Sequence, residues 1–169
     1  MEANENILLL QSARSGDHFA RERLFGRWLP VGMRWCARMG GPSVSAEDAA
    51  ADVFLCALTR LDSIKNPEAF DAWLYGITRR TLAAHRRRAW VRRWVPGLVA
   101  EADDPQNRPD RQAESSETTQ RVRQILEELT VYQREVLVLC DVEGRTDEEA
   151  AHILEIPTGT VKSRLRLAR

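Results

Sequence analysis

No apolar run in this 169-residue sequence approaches the roughly 20 residues that a membrane-spanning helix needs. Runs such as Ile7–Leu10, Val53–Leu58 and Val136–Cys140 are four to six residues long. The opening residues Met1–Asn6 are acidic and lack the basic start of a secretory signal. Cysteine is scarce: Cys36, Cys56 and Cys140 form no CxxC pair, and an odd count argues against a disulfide framework. Reduced thiols in a cytoplasmic protein are therefore expected. His18, His85 and His152 lack metal-ligand spacing, and no cofactor motif appears. Gly40-Gly41-Pro42-Ser43 has no following Lys and reads as a turn, not a phosphate loop. Lysine is nearly missing as well. Lys65 and Lys162 stand alone among 25 cations, so the chain relies on Arg, whose planar fork matches phosphates and base edges.

Net charge is also absent, with 25 basic and 25 acidic residues. A nucleic-acid binder usually carries a basic excess. The balance, however, is segregated along the chain. Residues 1–100 carry 15 basic and 10 acidic groups, residues 101–120 carry 2 and 6, and residues 121–169 carry 8 and 9. Between Ala72 and Ala100 there are seven Arg and no acid. After Glu155 only Lys162, Arg164, Arg166 and Arg169 carry charge.

What is present is helical periodicity almost throughout, with no convincing period-two stretch. The expected fold is all-α, with two small helical domains joined by a flexible acidic linker. The spacing predicts helices over Asn4–Arg14, His18–Arg38, a Ser45-capped segment to about Leu61, and Glu68 to about Trp94, with Asp62–Pro67 as a loop. Residues 96–119 form the linker, and its core, Ala100–Thr119, holds two Pro and six acids and little apolar bulk, too little to offset the entropy of ordering. The domains are thus expected at 1–95 and 120–169. Each is small, so a partner surface is expected to help steady them.

The sharpest local signal lies near the C-terminus. Thr146 and Glu149 form a capping box, Glu155-Ile156-Pro157 stops that helix, and Thr158 is placed to cap the next. Two short helices and a tight turn describe a helix-turn-helix. On the second helix Val161, Leu165 and Ala168 share the core side. Lys162, Ser163, Arg166 and Arg169 lie on the other flank, where hydroxyl and cations suit phosphates and groove edges. The plain alternative is a solvated basic helix end, which the macrodipole favours. In the first domain, Phe70, Trp73 and Tyr75 share a helix with the Arg cluster. That combination suits single-stranded DNA, while the spacing of Phe70, Trp73 and Ile77 equally suits a core.

In order, Asp48-Ala49-Ala50-Ala51-Asp52-Val53-Phe54-Leu55, Phe70-Asp71-Ala72-Trp73-Leu74-Tyr75-Gly76-Ile77, Gln133-Arg134-Glu135-Val136-Leu137-Val138-Leu139 and Gly159-Thr160-Val161-Lys162-Ser163-Arg164-Leu165 resemble the extracytoplasmic-function (ECF) sigma factors of the sigma-70 family. The resemblance covers about residues 5–95 and 120–169. It implies a non-enzymatic, cytoplasmic promoter-specificity subunit, with core RNA polymerase and promoter DNA as partners, an anti-sigma protein as a further partner in several members, and no cofactor. Glu47, Asp48, Asp52, Phe54 and Leu55 then look like the polymerase-docking surface. Lys65, Asn66, Phe70, Arg79, Arg80, His85, Arg86 and Arg87 look like the −10 surface. Thr160, Lys162, Ser163, Arg164, Arg166 and Arg169 look like the −35 reader. The acidic linker looks like the segment that threads toward the RNA exit path. The chain departs from the family pattern at Ala51, Arg80 and Leu167, where Gln, Asn and a basic residue are usual. Family members also usually continue the last helix past the position of Arg169. A stand-alone helix-turn-helix regulator would have no use for the first domain's motifs. A mimic that sequesters an anti-sigma protein would be expected to lose its DNA-reading face.

Overall fold

The computed structural model describes residues 2–94 and 117–169. The stretch 95–116, with most of the acidic linker, lies outside the described residues. Among the described residues there is no β-strand. The first domain is built from α1 (Glu2–Arg14), α2 (His18–Met39), α3 (Ala46–Thr59) and α4 (Phe70–Trp94). The second contains α5 (Glu117–Glu128), α6 (Val131–Leu137), α7 (Asp147–Leu154) and α8 (Thr158–Ala168).

Local chemistry sets most of these boundaries. Asp17 caps α2, its carboxylate accepting from the Phe19 and Ala20 amides at 2.9 and 3.2 Å. Ser45 caps α3 through the Asp48 amide. Thr130 with Gln133 and Thr146 with Glu149 close capping boxes on α6 and α7. The loop expected at Asp62–Pro67 is in part helical: 3-10 turns run over Leu61–Ser63 and Pro67–Ala69, because Asn66 accepts from the Glu68 amide and Pro67 pre-sets the next φ. Helix α5 starts at Glu117, ahead of the Gln120 boundary expected from the sequence. Thr158 does not cap α8. Pro157 occupies the N-cap without a side-chain bond, and Thr158 is already inside the first turn. A π-helical turn at Val138–Val142 extends α6, which the apolar spacing does not signal.

The first domain's core joins Leu24, Met39, Val53, Leu74 and Ile77 to an aromatic cluster. Phe70 lies 5.3 Å from the Trp28 ring and 5.6 Å from Trp73, and Trp35 meets Tyr75 edge-on at 5.0 Å. The buried Tyr75 hydroxyl donates to Met39 Sδ at 2.9 Å. Burial, and then the nearby Glu135 carboxylate, push its pKa well above the ordinary tyrosine value, so it stays neutral. In the second domain Leu126, Val136, Leu139, Leu154, Val161 and Leu165 close the core.

Two glycines on α2 give a paired test. A Cβ on Gly26 would meet open space, whereas one on Gly32 would come within 2.7 Å of the Phe54 ring. That ring is held edge-on against Phe25 at 5.9 Å. Gly26→Ala is expected to stabilise the protein by about 0.5–1 kcal/mol through helix entropy. Gly32→Ala is expected to destabilise it by about 1–3 kcal/mol through overpacking. Urea denaturation of both variants checks the opposite signs.

Candidate nucleic-acid interface

Helix α8 buries Val161 and Leu165 against α6 and α7, which turns its opposite side outward. Lys162, Ser163 and Arg166 are exposed there, and a Cβ on Gly159 would meet nothing within 4 Å. The helix start is therefore open to close approach. The other expected −35 residues lie at the flanks. Thr160 is half-buried. The Arg164 guanidinium stacks over the Tyr132 ring at 4.7 Å. Arg169 forms a two-pronged pair with Asp141 at 2.6 and 3.2 Å. Its hydrogen bond holds the Asp141 carboxyl below the usual carboxylate range. With a depressed folded value, the pair's contribution is complete above the ordinary Asp pKa. It fades as pH falls through the depressed one.

On α3, Glu47, Asp48, Asp52 and Leu55 are exposed. Phe54 is not part of that surface: its ring turns inward onto Phe25 and the Gly32 backbone. Leu58 takes its place, 48% exposed beside the 64% exposed Leu55. The sequence carried that signal as an apolar residue three positions further along the acidic helix. Asp52 is bound by His85 Nε2 at 2.8 Å and approached by Arg88 at 3.7 Å. His85, expected at DNA, thus anchors α4 to α3.

The remaining −10 candidates divide in the same way. Lys65, Asn66, Arg80 and Arg87 are exposed. Phe70 is 2% exposed between Trp28 and Trp73, so its ring is core and offers no face to a base. Trp73 is half-buried and donates from Nε1 to Ser63 Oγ. Lys65, Trp73, His152, Ile156 and Thr158 line an open cleft of about 630 Å³ between the two domains. Arg79 and Arg86 are engaged within the protein. Arg79 donates to Glu135 at 3.1 Å and to the Leu154 carbonyl at 3.4 Å, and Arg86 donates to the Met39 carbonyl at 3.0 Å.

The Arg79 contacts belong to a charged seam between the domains. Arg38 pairs with Glu143 at 3.2 Å and Arg145 with Asp71 at 2.5 Å. Buried Arg134 reaches the Met39 carbonyl at 3.5 Å. The π-helical turn delivers part of this seam, since the Glu143 and Arg145 amides close onto the Val138 and Leu139 carbonyls just after it. The seam fixes a further expectation. Arg145→Asp places two carboxylates together and enlarges the radius of gyration in solution scattering. Adding Asp71→Arg restores the compact value. Because the pair is partly exposed, molar salt enlarges the unmodified protein too.

Two family descriptions match the chain: sigma-70 region 2 over residues 24–92 and sigma-70 region 4 over residues 119–169. The ECF RNA polymerase sigma factor SigD of Mycobacterium tuberculosis H37Rv is 31% identical over 168 residues, covering 96% of this chain and 79% of that protein. The ECF RNA polymerase sigma-E factor of Escherichia coli K12 is 31% identical over 143 residues, covering 76% and 72%. Among solved structures, CnrH in complex with the cytosolic domain of CnrY aligns at TM-score 0.68 and 27% identity, covering 98% of this chain and 92% of that one. The sigma factor RpoE of Bartonella quintana, in complex with the anti-sigma factor NepR, aligns at TM-score 0.68 and 26% identity, covering 88% and 91%. With helical regions 2 and 4 in sequence order and an outward cationic face on its last helix, the chain belongs to the ECF group of sigma-70 factors, the proteins of promoter-directed transcription initiation.

Proposed function

We propose that the work of initiation is divided between the domains by the surfaces described above. The exposed acids Glu47, Asp48 and Asp52, with Leu55 and Leu58, dock on core RNA polymerase. Lys65, Asn66, Arg80 and Arg87 track the −10 strand. Lys162, Ser163 and Arg166 enter the −35 major groove, and Arg164 and Arg169 lie at the edges of that footprint. The polymerase, not this chain, supplies catalysis, and the cytoplasm is where the complex forms. The observation that carries this division is the pair of outward faces, acidic-apolar on α3 of the first domain and cationic on α8 of the second.

Arg79 joins the −10 surface only when the domains part, since it is bonded to Glu135 and the Leu154 carbonyl of the second domain. Arg86 is held by the Met39 carbonyl of its own domain. The Arg79 charge is worth more to DNA in the holoenzyme, where polymerase holds the domains apart. Promoter binding by the isolated chain is accordingly weak. An anti-sigma protein of the kind bound to one structural relative, RpoE, is proposed as the partner that keeps the chain from polymerase.

Run-off transcription by core polymerase across a promoter library tests the division. Transcripts that depend on both this chain and a promoter are expected, and none would overturn the proposal. Lys162→Ala with Arg166→Ala is expected to abolish −35-dependent initiation while core binding persists. Leu55→Asp is expected to weaken core binding about tenfold or more and leave thermal stability unchanged, because the side chain is 64% exposed.

A further inference from the structure

The recognition face of α8 contains one large apolar side chain. Leu167 is 65% exposed and follows Ser163 by four residues, one turn further along the same outward row. That row runs Gly159, Ser163, Leu167, so its side chains lengthen from none to a hydroxymethyl to an isobutyl group. Lys162 and Arg166 flank it. Such a taper suits a helix whose start lies deepest in the groove and whose end stands further off. The longer side chain then reaches from the greater distance.

The last turn of a helix ordinarily frays. Here it is tied down. Gln133 Nε2 donates to the Leu167 carbonyl at 3.3 Å, the Arg169 amide donates to the Leu165 carbonyl at 3.0 Å, and the Arg169 guanidinium clasps Asp141. The backbone that carries Leu167 is therefore held in place before any ligand arrives.

We propose that Leu167 is a specificity residue that packs on the C5-methyl of a thymine in the −35 element; this rests on α8 as the recognition helix. Phosphates would be met by a cation or a donor, and Leu is neither. Among the edges that bases show in the major groove, the thymine methyl is the apolar one.

The test uses the full chain with core RNA polymerase and duplex promoters carrying a randomised −35 region. Selection with the unmodified protein is expected to enrich thymine at one position, and Leu167→Ala is expected to lose that enrichment alone. Exchanging that thymine for deoxyuracil, which removes only the methyl, is expected to weaken open-complex formation about fourfold, the factor for burying one such group. The same exchange should leave Leu167→Ala unaffected. Selected positions that depend on Lys162 and Arg166, with no thymine that depends on residue 167, overturn the proposal and leave the recognition helix standing. A deoxyuracil exchange without effect on the unmodified protein does the same. No −35 enrichment at all overturns both.

Discussion

The arrangement of this protein hinges on the C-terminal end of α2. The Met39 carbonyl there accepts from Arg86 of α4 and from Arg134 of α6. A helix C-terminus is the negative end of its dipole and leaves carbonyls unpaired, so it can draw in cations from two directions. Arg134 does more. Its guanidinium also takes the Leu126, Glu127 and Leu129 carbonyls at the end of α5. One buried side chain thus closes two helix ends that belong to different domains. Burial lowers the pKa of both guanidiniums, and Arg86 adds to the effect on Arg134. Guanidinium starts so far above neutrality that both remain charged. The turn beside them has to be bare: Gly41 sits at φ +81°, and a Cβ there would lie 3.0 Å from Arg134 Nη1.

Around this point a set of charged pairs joins the domains. Arg38–Glu143, Arg79–Glu135 and Arg145–Asp71 line the contact. Such pairs gain attraction but lose hydration, so their net contribution is small beside the cost of breaking one partner away. Glu135 illustrates the compromise. One of its oxygens takes Arg79, while the other is buried without a partner, a cost of about 1–3 kcal/mol. A contact of this kind specifies an orientation without making it permanent. That suits a protein whose two domains serve promoter elements some distance apart.

Much of this was legible in the sequence, and what was not is informative. The capping box at Thr146, the Ser45 cap and the core side of α8 are local, so spacing of three or four residues revealed them. The candidate site was harder. Arg79, Arg86 and His85 read as cations for DNA because nothing within a few residues claims them. Their partners Glu135, Met39 and Asp52 lie 56, 47 and 33 positions away. Phe70 and Phe54 read as functional aromatics for the same reason, while Trp28, Trp73, Phe25 and Gly32 supply the packing that hides them. The π-helical turn adds a residue to a periodic run and leaves the apolar pattern almost intact, so spacing cannot signal it.

The zero net charge takes on a different meaning with these contacts in place. It first argues against a nucleic-acid partner, yet the cations are not spread evenly over the surface. Arg38, Arg79, Arg86, Arg134 and Arg145 are spent on carboxylates and helix carbonyls inside the compact form. Lys162, Arg166, Arg80 and Arg87 remain outward. A nearly neutral chain can therefore present a cationic face without attracting DNA over its whole surface. Parting the domains would uncover Arg79, but it would uncover Glu135 as well, and that carboxylate would repel phosphate unless something covered it. Separation alone thus does little for DNA affinity, and the −10 role proposed for Arg79 requires a surface that occupies the second domain while the first meets the promoter.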